Sequence, residues 1–110
     1  MSDDGSTIAI TYSSQKNVDV FLNNGSTFNV HQSIASTIGS VHAAISGTNS
    51  LFLSNGGISK YEKDINGEYQ LSLQEQINKQ INDIDLCSNE EYVGVGTDTG
   101  TYYYSGANFA

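Results

Sequence analysis

The chain of 110 residues contains no arginine, no tryptophan and no proline, and it has a single cysteine. Four lysines stand against twelve acidic residues, which gives a formal net charge of −8. Nucleic-acid binding depends on arginine and lysine to neutralise phosphates and to read bases. This composition therefore argues against DNA, RNA and anionic membranes as partners, and it favours a basic protein segment or a cation.

Because Cys87 is the only cysteine, the chain cannot form an internal disulfide. It ends the apolar run IDLC, so we expect a buried thiol that packs as a small hydrophobic group. No segment approaches the roughly 20 apolar residues that a membrane span needs. The first residues, MSDDGST, lack the charged-then-apolar order of a signal peptide. These features predict a soluble, intracellular (cytoplasmic) protein.

Alternation of apolar and polar residues runs through most of the chain, as in STIAITYS, NVDVFLNN and TFNVHQSI. A period of two predicts half-buried strands, and Asn24-Gly25 between two such runs predicts a hairpin. The segment QLSLQEQINKQIND can also be a helix, since Leu73, Ile77 and Ile81 are four residues apart. We favour a strand there, because the repeat described next requires one. The pattern predicts an all-β, antiparallel protein of roughly ten strands.

Three segments share one order of residues, and they begin at Ser2, Ser46 and Ser88, 44 (46 − 2) and 42 (88 − 46) residues apart. Each has a polar turn (DDG, GTN or NEE), an apolar strand, and a glycine-containing turn into a further strand. Units of roughly 40 residues made of short strands are typical of propeller blades.

The stretch INDIDLCSNEEYVGVGTDTGTYYY most resembles a blade of the WD40-like β-propellers. The chain resembles a degenerate member, because it has no Trp-Asp dipeptide and neither His31 nor His42 follows a glycine. The resemblance implies a scaffold for protein partners, without enzymatic activity and without a cofactor.

The predicted strands amount to about two and a half four-stranded blades in a single domain, 1–110. Residues 2–34 would form a partial blade, 41–77 a full blade and 81–110 a second partial blade. A closed propeller usually has about four to eight blades, so strand edges and faces would remain open. Other protein chains or copies of this chain could complete the propeller, or the sheets could form a sandwich that does not close. We favour association.

Three tyrosines in a row, Tyr102, Tyr103 and Tyr104, are the candidate partner-binding residues, because tyrosine is favoured at interfaces and sugar platforms. The same rings could instead fill the space between blades. We therefore predict a non-enzymatic protein–protein interaction or scaffold module. A small lectin-like carbohydrate-binding protein is the alternative, and a hydrolase formed across an assembled ring is a remote third hypothesis.

Other polar motifs are predicted to be structural or surface features. Asp64–Glu68 with Glu75 partly matches a calcium loop, but a hairpin turn is favoured. The carboxylate pairs at 3–4, 83 and 85, and 90–91 are expected to be solvated surface charge. Cys87, His42 and Asp85 could be drawn as a triad, but nothing places them together. We predict no catalytic, metal-binding or cofactor-binding residues.

Overall fold

The computed structural model describes residues 1–2, 4–12, 17–23, 25–35, 42–54, 57–77, 79–87 and 89–109. These residues form ten β-strands and no α-helix, which confirms the all-β prediction. The strands are β1 (Thr7–Thr11), β2 (Asn17–Asn23), β3 (Phe28–Ala35), β4 (Ala43–Ile45), β5 (Leu51–Leu53), β6 (Gly57–Lys63), β7 (Tyr69–Gln76), β8 (Ile81–Leu86), β9 (Tyr92–Thr97) and β10 (Gly100–Ser105). Within this described part, no helix is long and apolar enough to cross a membrane.

The strands form three antiparallel sheets in which neighbours in sequence are neighbours in space. The first sheet contains β1-β2-β3, the middle sheet β4-β5-β6-β7 and the third sheet β8-β9-β10. The short strand β4 contacts both β1 and β8, so the leading strands of the three sheets lie side by side. The middle sheet therefore lies between the other two.

The middle sheet is buried on both faces. Leu51, Phe52 and Leu53 of β5 have no exposed surface, and side chains of successive strand residues point to opposite faces. Leu51 and Leu53 join a first core with Val18 and Val20 of the first sheet. Phe52 joins a second core, which contains Ile58, Ile77, Ile84, Val93, Val95 and Phe109. The run LFL is apolar without alternation because it supplies both cores.

β7 is a strand over its whole length, as expected, and a bulge divides its apolar residues between the two cores. Tyr61 pairs with Leu71 and Lys60 pairs with Leu73, so Ser72 is the extra residue. A bulge shifts the alternation of side chains by one position. Tyr69 therefore packs in the first core, while Leu73 packs against the second core.

Three turns before strands share one backbone hydrogen bond, which also occurs in the β6–β7 turn, where Gly67 donates to Asp64. Gly5, Asn49 and Glu90 each donate from their backbone N to the carbonyl oxygen three residues earlier. Their φ angles are 72°, 67° and 63°, all in the left-handed region. Glycine adopts this region freely and asparagine tolerates it, whereas a glutamate there is uncommon. Glu90 thus adopts a strained backbone conformation, and its side chain pairs with Lys60.

After β10 the chain turns back on itself. Phe109 donates from its backbone N to the carbonyl oxygen of Ser105 at 2.8 Å, and its ring enters the second core. The ring centroid lies 6.1 Å from that of Phe52 in a tilted contact and 6.2 Å from that of Tyr104 in an edge-on contact. Phe109 therefore closes one end of the second core, and the described part of the third sheet has three strands.

Phe52 is the largest side chain without exposed surface, so its truncation tests the two-faced core. Phe52→Ala should lower the free energy of unfolding by about 3–5 kcal/mol, measured by chemical denaturation. Ile65→Ala is the matched control, because Ile65 is 99% exposed and its loss should change stability by less than about 0.5 kcal/mol. Equal effects of the two substitutions would contradict this packing.

Candidate functional site

The outer face of the third sheet, turned away from the middle sheet, carries a groove of about 390 Å³. Its floor is formed by Gly94 and Gly96 of β9, which have no side chains to fill it. The pairing places Asp85 and Tyr103 on either side of Gly94, and Asp83 and Thr101 on either side of Gly96. We call this feature the acidic groove, and its main lining residues are Asp83, Asp85, Tyr92, Gly94, Gly96 and Tyr103.

One wall of the acidic groove is formed by two carboxylates. Asp83 and Asp85 are two residues apart on β8 and therefore point to the same face. One oxygen of each accepts a hydrogen bond, at 2.9 Å, from the backbone N of the following residue. Both side chains are exposed. The predicted surface charge is thus present, but it is concentrated beside a groove and next to aromatic rings.

The opposite wall is aromatic, and only one of the three predicted tyrosines contributes to it. Tyr103 is 74% exposed and lies across Gly94, so that a methyl group built on Gly94 would be 3.8 Å from Cε1 of its ring. Tyr104 points to the other face and packs on Phe109. Tyr102 pairs with Val95 and is on the same side as Tyr104. Tyr92, which the sequence did not single out, joins Tyr103 at the groove.

Cys87 is exposed and lines the acidic groove, so the expectation of a buried thiol was wrong. β8 ends at Leu86, and Cys87 begins the following turn, where its backbone N donates to the carbonyl oxygen of Tyr92 at 3.1 Å. Alternation along β8 buries Ile84, whereas Cys87 lies beyond the end of the strand. An apolar run that reaches a turn leaves its last residue outside the core.

The outer face of the first sheet has the opposite character. It carries five large apolar side chains, which we call the apolar face: Ile8, Ile10, Phe21, Phe28 and Val30. The register aligns Phe21 between Ile8 and Val30. Val30 is 60% exposed, Phe28 43% and Ile10 39%. Contiguous exposed apolar surface of this kind commonly marks an interaction site.

A single carboxylate, Asp19, lies on this apolar face among the described residues, and its charge is well compensated. It accepts hydrogen bonds from Ser33, from the Tyr12 hydroxyl at 2.8 Å and from the Asn17 amide at 3.0 Å. The hydrogen bonds from Ser33 and Tyr12 hold the pKa of Asp19 below its usual value. Asp19 is therefore ionised and hydrogen-bonded within its own sheet, and it adds one negative charge to an otherwise apolar face.

The interface between the middle and third sheets contains a buried ion pair. Lys60, only 5% exposed, places its Nζ 2.6 Å from a carboxylate oxygen of Glu90 and donates to the carbonyl oxygen of Gly106 at 3.0 Å. The other Glu90 oxygen accepts from Ser46 at 2.8 Å and from Thr48. The expectation that Glu90 is solvated surface charge was wrong, because its carboxylate is enclosed by these donors.

This pair connects three elements and shifts the pKa of Glu90. Desolvation raises that pKa, but the hydrogen bonds from Lys60, Thr48 and Ser46 outweigh it and lower it to about 2. Glu90 thus links the turn after β4 and the turn after β8 to the segment after β10. The sequence contains only a weak indication that Lys60 is buried. Lys60 lies two residues from Ile58 on β6, so both side chains point towards the second core.

Other candidate groups make structural contacts. Asp64 begins the turn between β6 and β7, and its Oδ1 accepts from the backbone N of Asn66 at 2.9 Å and of Glu68 at 3.0 Å. His31 Nε2 lies 2.8 Å from the carbonyl oxygen of Gly67. Among the residues that the structure describes, no group of three or more His, Cys, Asp or Glu side chains could hold a metal ion. Asn24 of the predicted Asn24-Gly25 hairpin lies outside those residues.

Glu90→Gln tests the buried pair through the pH dependence of stability. A lowered pKa in the folded state stabilises the protein above pH 4.5, and this contribution disappears as the pH falls towards 2. The substitution should cost on the order of 2–3 kcal/mol at neutral pH, because it removes the closer and more buried of the two carboxylates beside Lys60 and leaves the half-exposed Glu62 at 3.4 Å. Unfolding free energies measured between pH 2 and pH 7 should then fall less steeply on acidification. Glu91→Gln, at an exposed neighbour, should retain the original slope.

Gly106→Ala tests the contact between the C-terminal turn and the Glu90 turn. A methyl group at Gly106 would overlap the backbone carbonyl oxygen of Glu90, so the two turns must separate. Thermal unfolding should show a loss of about 1–3 kcal/mol. At Gly96 nothing lies within 4 Å of the added methyl group, so Gly96→Ala should leave stability unchanged or raise it by about 0.5–1 kcal/mol. The reverse order of the two variants would contradict the contact.

Comparison of the chain with protein-family models, curated proteins and solved structures finds no match. The contrast between the two outer faces and the buried pair between the sheets is therefore the physical basis for a functional assignment.

Proposed function

We propose that this chain is a non-enzymatic protein–protein interaction or scaffold module within a larger propeller-type assembly, which copies of itself or other protein chains complete. The observation that supports the proposal most strongly is the apolar face. The middle sheet is covered on both sides, but the first sheet presents Ile10, Phe28 and Val30 to solvent. A further sheet stacked there would bury these side chains as the middle sheet buries Val18 and Val20.

The arrangement of the three sheets favours a propeller-type assembly. Their leading strands lie side by side. The turns at Asn49 and Glu90 precede the second strand of their sheets, and a similar turn at Gly5 precedes β1. Further sheets related in this way could be added across the apolar face of the first sheet. This geometry agrees with the resemblance to degenerate WD40-like blades and with the unit of roughly 40 residues.

The strand edges offer a second means of association. The middle sheet has four strands and the third sheet has three. In the described residues, no strand pairs with the far side of β10, whose residues from Gly100 to Tyr103 are exposed. An exposed strand edge can accept a strand from another chain. A partner strand beside β10 would bring the third sheet to four strands.

The placement of the tyrosines favours assembly over the lectin-like alternative. A platform of Tyr102, Tyr103 and Tyr104 would need the three rings on one side of β10, whereas alternate residues point to opposite faces. Tyr104 packs against Phe109. Asp83 and Asp85 lie next to each other on one strand, and a glycosidase requires carboxylates on opposite sides of a bond. We assign no catalytic function.

The mass in solution tests the proposal. Light scattering should give a mass above the 11.8 kDa of one chain, rising with protein concentration. Val30→Asp should shift the protein towards the single-chain mass, because a carboxylate on the apolar face must be desolvated on association. Ile65→Asp carries the same change at an exposed turn and should leave the mass unchanged. A well-folded single chain at every concentration would contradict the proposal.

A further inference from the structure

The acidic groove is a poor surface for another apolar sheet. Its wall contains Asp83 and Asp85, whose carboxylates would lose water on burial. Among the described residues, the hydrogen bond that each carboxylate accepts comes from a backbone N of its own strand. The apolar face offers no described cation to pair with them. The two ends of the stack of sheets therefore require partners of different chemistry.

We propose that the acidic groove binds an extended basic segment of a partner protein, in which arginine or lysine occupies alternate positions. The open floor at Gly96 allows the backbone or an extended side chain to approach β9 closely, whereas the Tyr103 ring lies beside Gly94. Asp83 and Asp85 are two residues apart on a strand, about 6.6–6.8 Å. Same-face side chains of an extended peptide have that same repeat, so two basic residues separated by one residue match the two carboxylates.

The aromatic wall favours arginine over lysine. Two ring atoms of Tyr103 lie 3.8 and 3.9 Å from a Cβ built on Gly94, and both Tyr103 and Tyr92 line the groove. A guanidinium group can stack on a tyrosine ring while it donates two hydrogen bonds to a carboxylate. Asp85 of β8 and Tyr103 of β10 lie on either side of Gly94 and could provide these two contacts from the strands that flank β9. Lysine could satisfy the carboxylate but would gain less from the ring.

Two of the chain's own lysines make contacts outside the acidic groove. Lys60 is buried beside Glu90, and Lys63 lies 5.5 Å from the centroid of the Tyr69 ring. The net charge of −8 attracts a cationic segment from a distance, and the groove supplies the short-range contacts. An anionic ligand such as nucleic acid would be repelled by the same two carboxylates.

Fluorescence anisotropy with a short labelled peptide tests the proposal. The probe carries arginines at alternate positions in a serine and glycine background. One control peptide has glutamine in place of arginine, and a second has the same arginines placed next to each other. The alternating peptide should bind saturably, the adjacent-arginine peptide several-fold more weakly and the glutamine peptide not at all. Equal binding of the two arginine peptides would contradict the proposed spacing and would show that binding depends on net charge alone.

Matched variants locate the binding. Asp83→Asn with Asp85→Asn should weaken the alternating peptide about tenfold or more, because asparagine keeps the local backbone hydrogen bond but removes the charge. Glu75→Gln with Glu91→Gln removes the same charge from two exposed residues that do not line the groove, and it should change affinity less than about twofold. Equal losses in the two double variants would contradict a specific site.

Gly96→Val tests the groove by shape. Nothing lies within 4 Å of a Cβ at this position, so the variant should fold with unchanged or higher thermal stability while the peptide loses binding. Retained peptide binding in a folded Gly96→Val protein would overturn the proposal. So would a neutral sugar that binds saturably in the groove and is not displaced by the arginine peptide. Binding should persist in Val30→Asp, which separates this site from association through the apolar face.

Discussion

The structure depends on one constraint: the middle sheet has to be covered on both faces. Leu51, Phe52 and Leu53 have no exposed surface, and each is worth roughly 1.5–3 kcal/mol when removed from water. A sheet that is apolar on both faces cannot stand alone, so the first and third sheets must pack on either side. The two cores, the side-by-side leading strands and the bulge in β7 all follow from this layering.

Polar contacts then fix the position of the third sheet on the middle sheet. Apolar packing is not directional, whereas Lys60 has to reach Glu90 and the carbonyl oxygen of Gly106 together. The left-handed backbone of Glu90 costs free energy, and the ion pair with its hydroxyl donors offsets that cost. On the outside, the stack ends in an apolar face at one end and an acidic groove at the other. Because the two ends of the stack differ in chemistry, we infer two partners of different chemistry.

Local patterns predicted the strands well, because a period of two in segments such as NVDVFLN directly records a half-buried strand. β7 was assigned correctly against a competing helical pattern. Contacts between residues that are distant in the sequence could not be predicted from local patterns. Glu90 was predicted to be surface charge and Cys87 to be a core residue, and no pattern in the sequence indicated that Lys60 is buried or that Phe109 enters the second core. These positions are set by how turns from different sheets meet, which alternation within a strand cannot encode.

The central claim is that the stack of sheets continues across the apolar face of the first sheet. Methyl NMR during dilution of the isoleucine- and valine-labelled protein tests it most directly. The methyl signals of Ile8, Ile10 and Val30 should shift or broaden as concentration rises, while that of the exposed Ile65 stays fixed. Signals from all four residues that remain unchanged over the whole concentration range, in a folded protein, would contradict the claim.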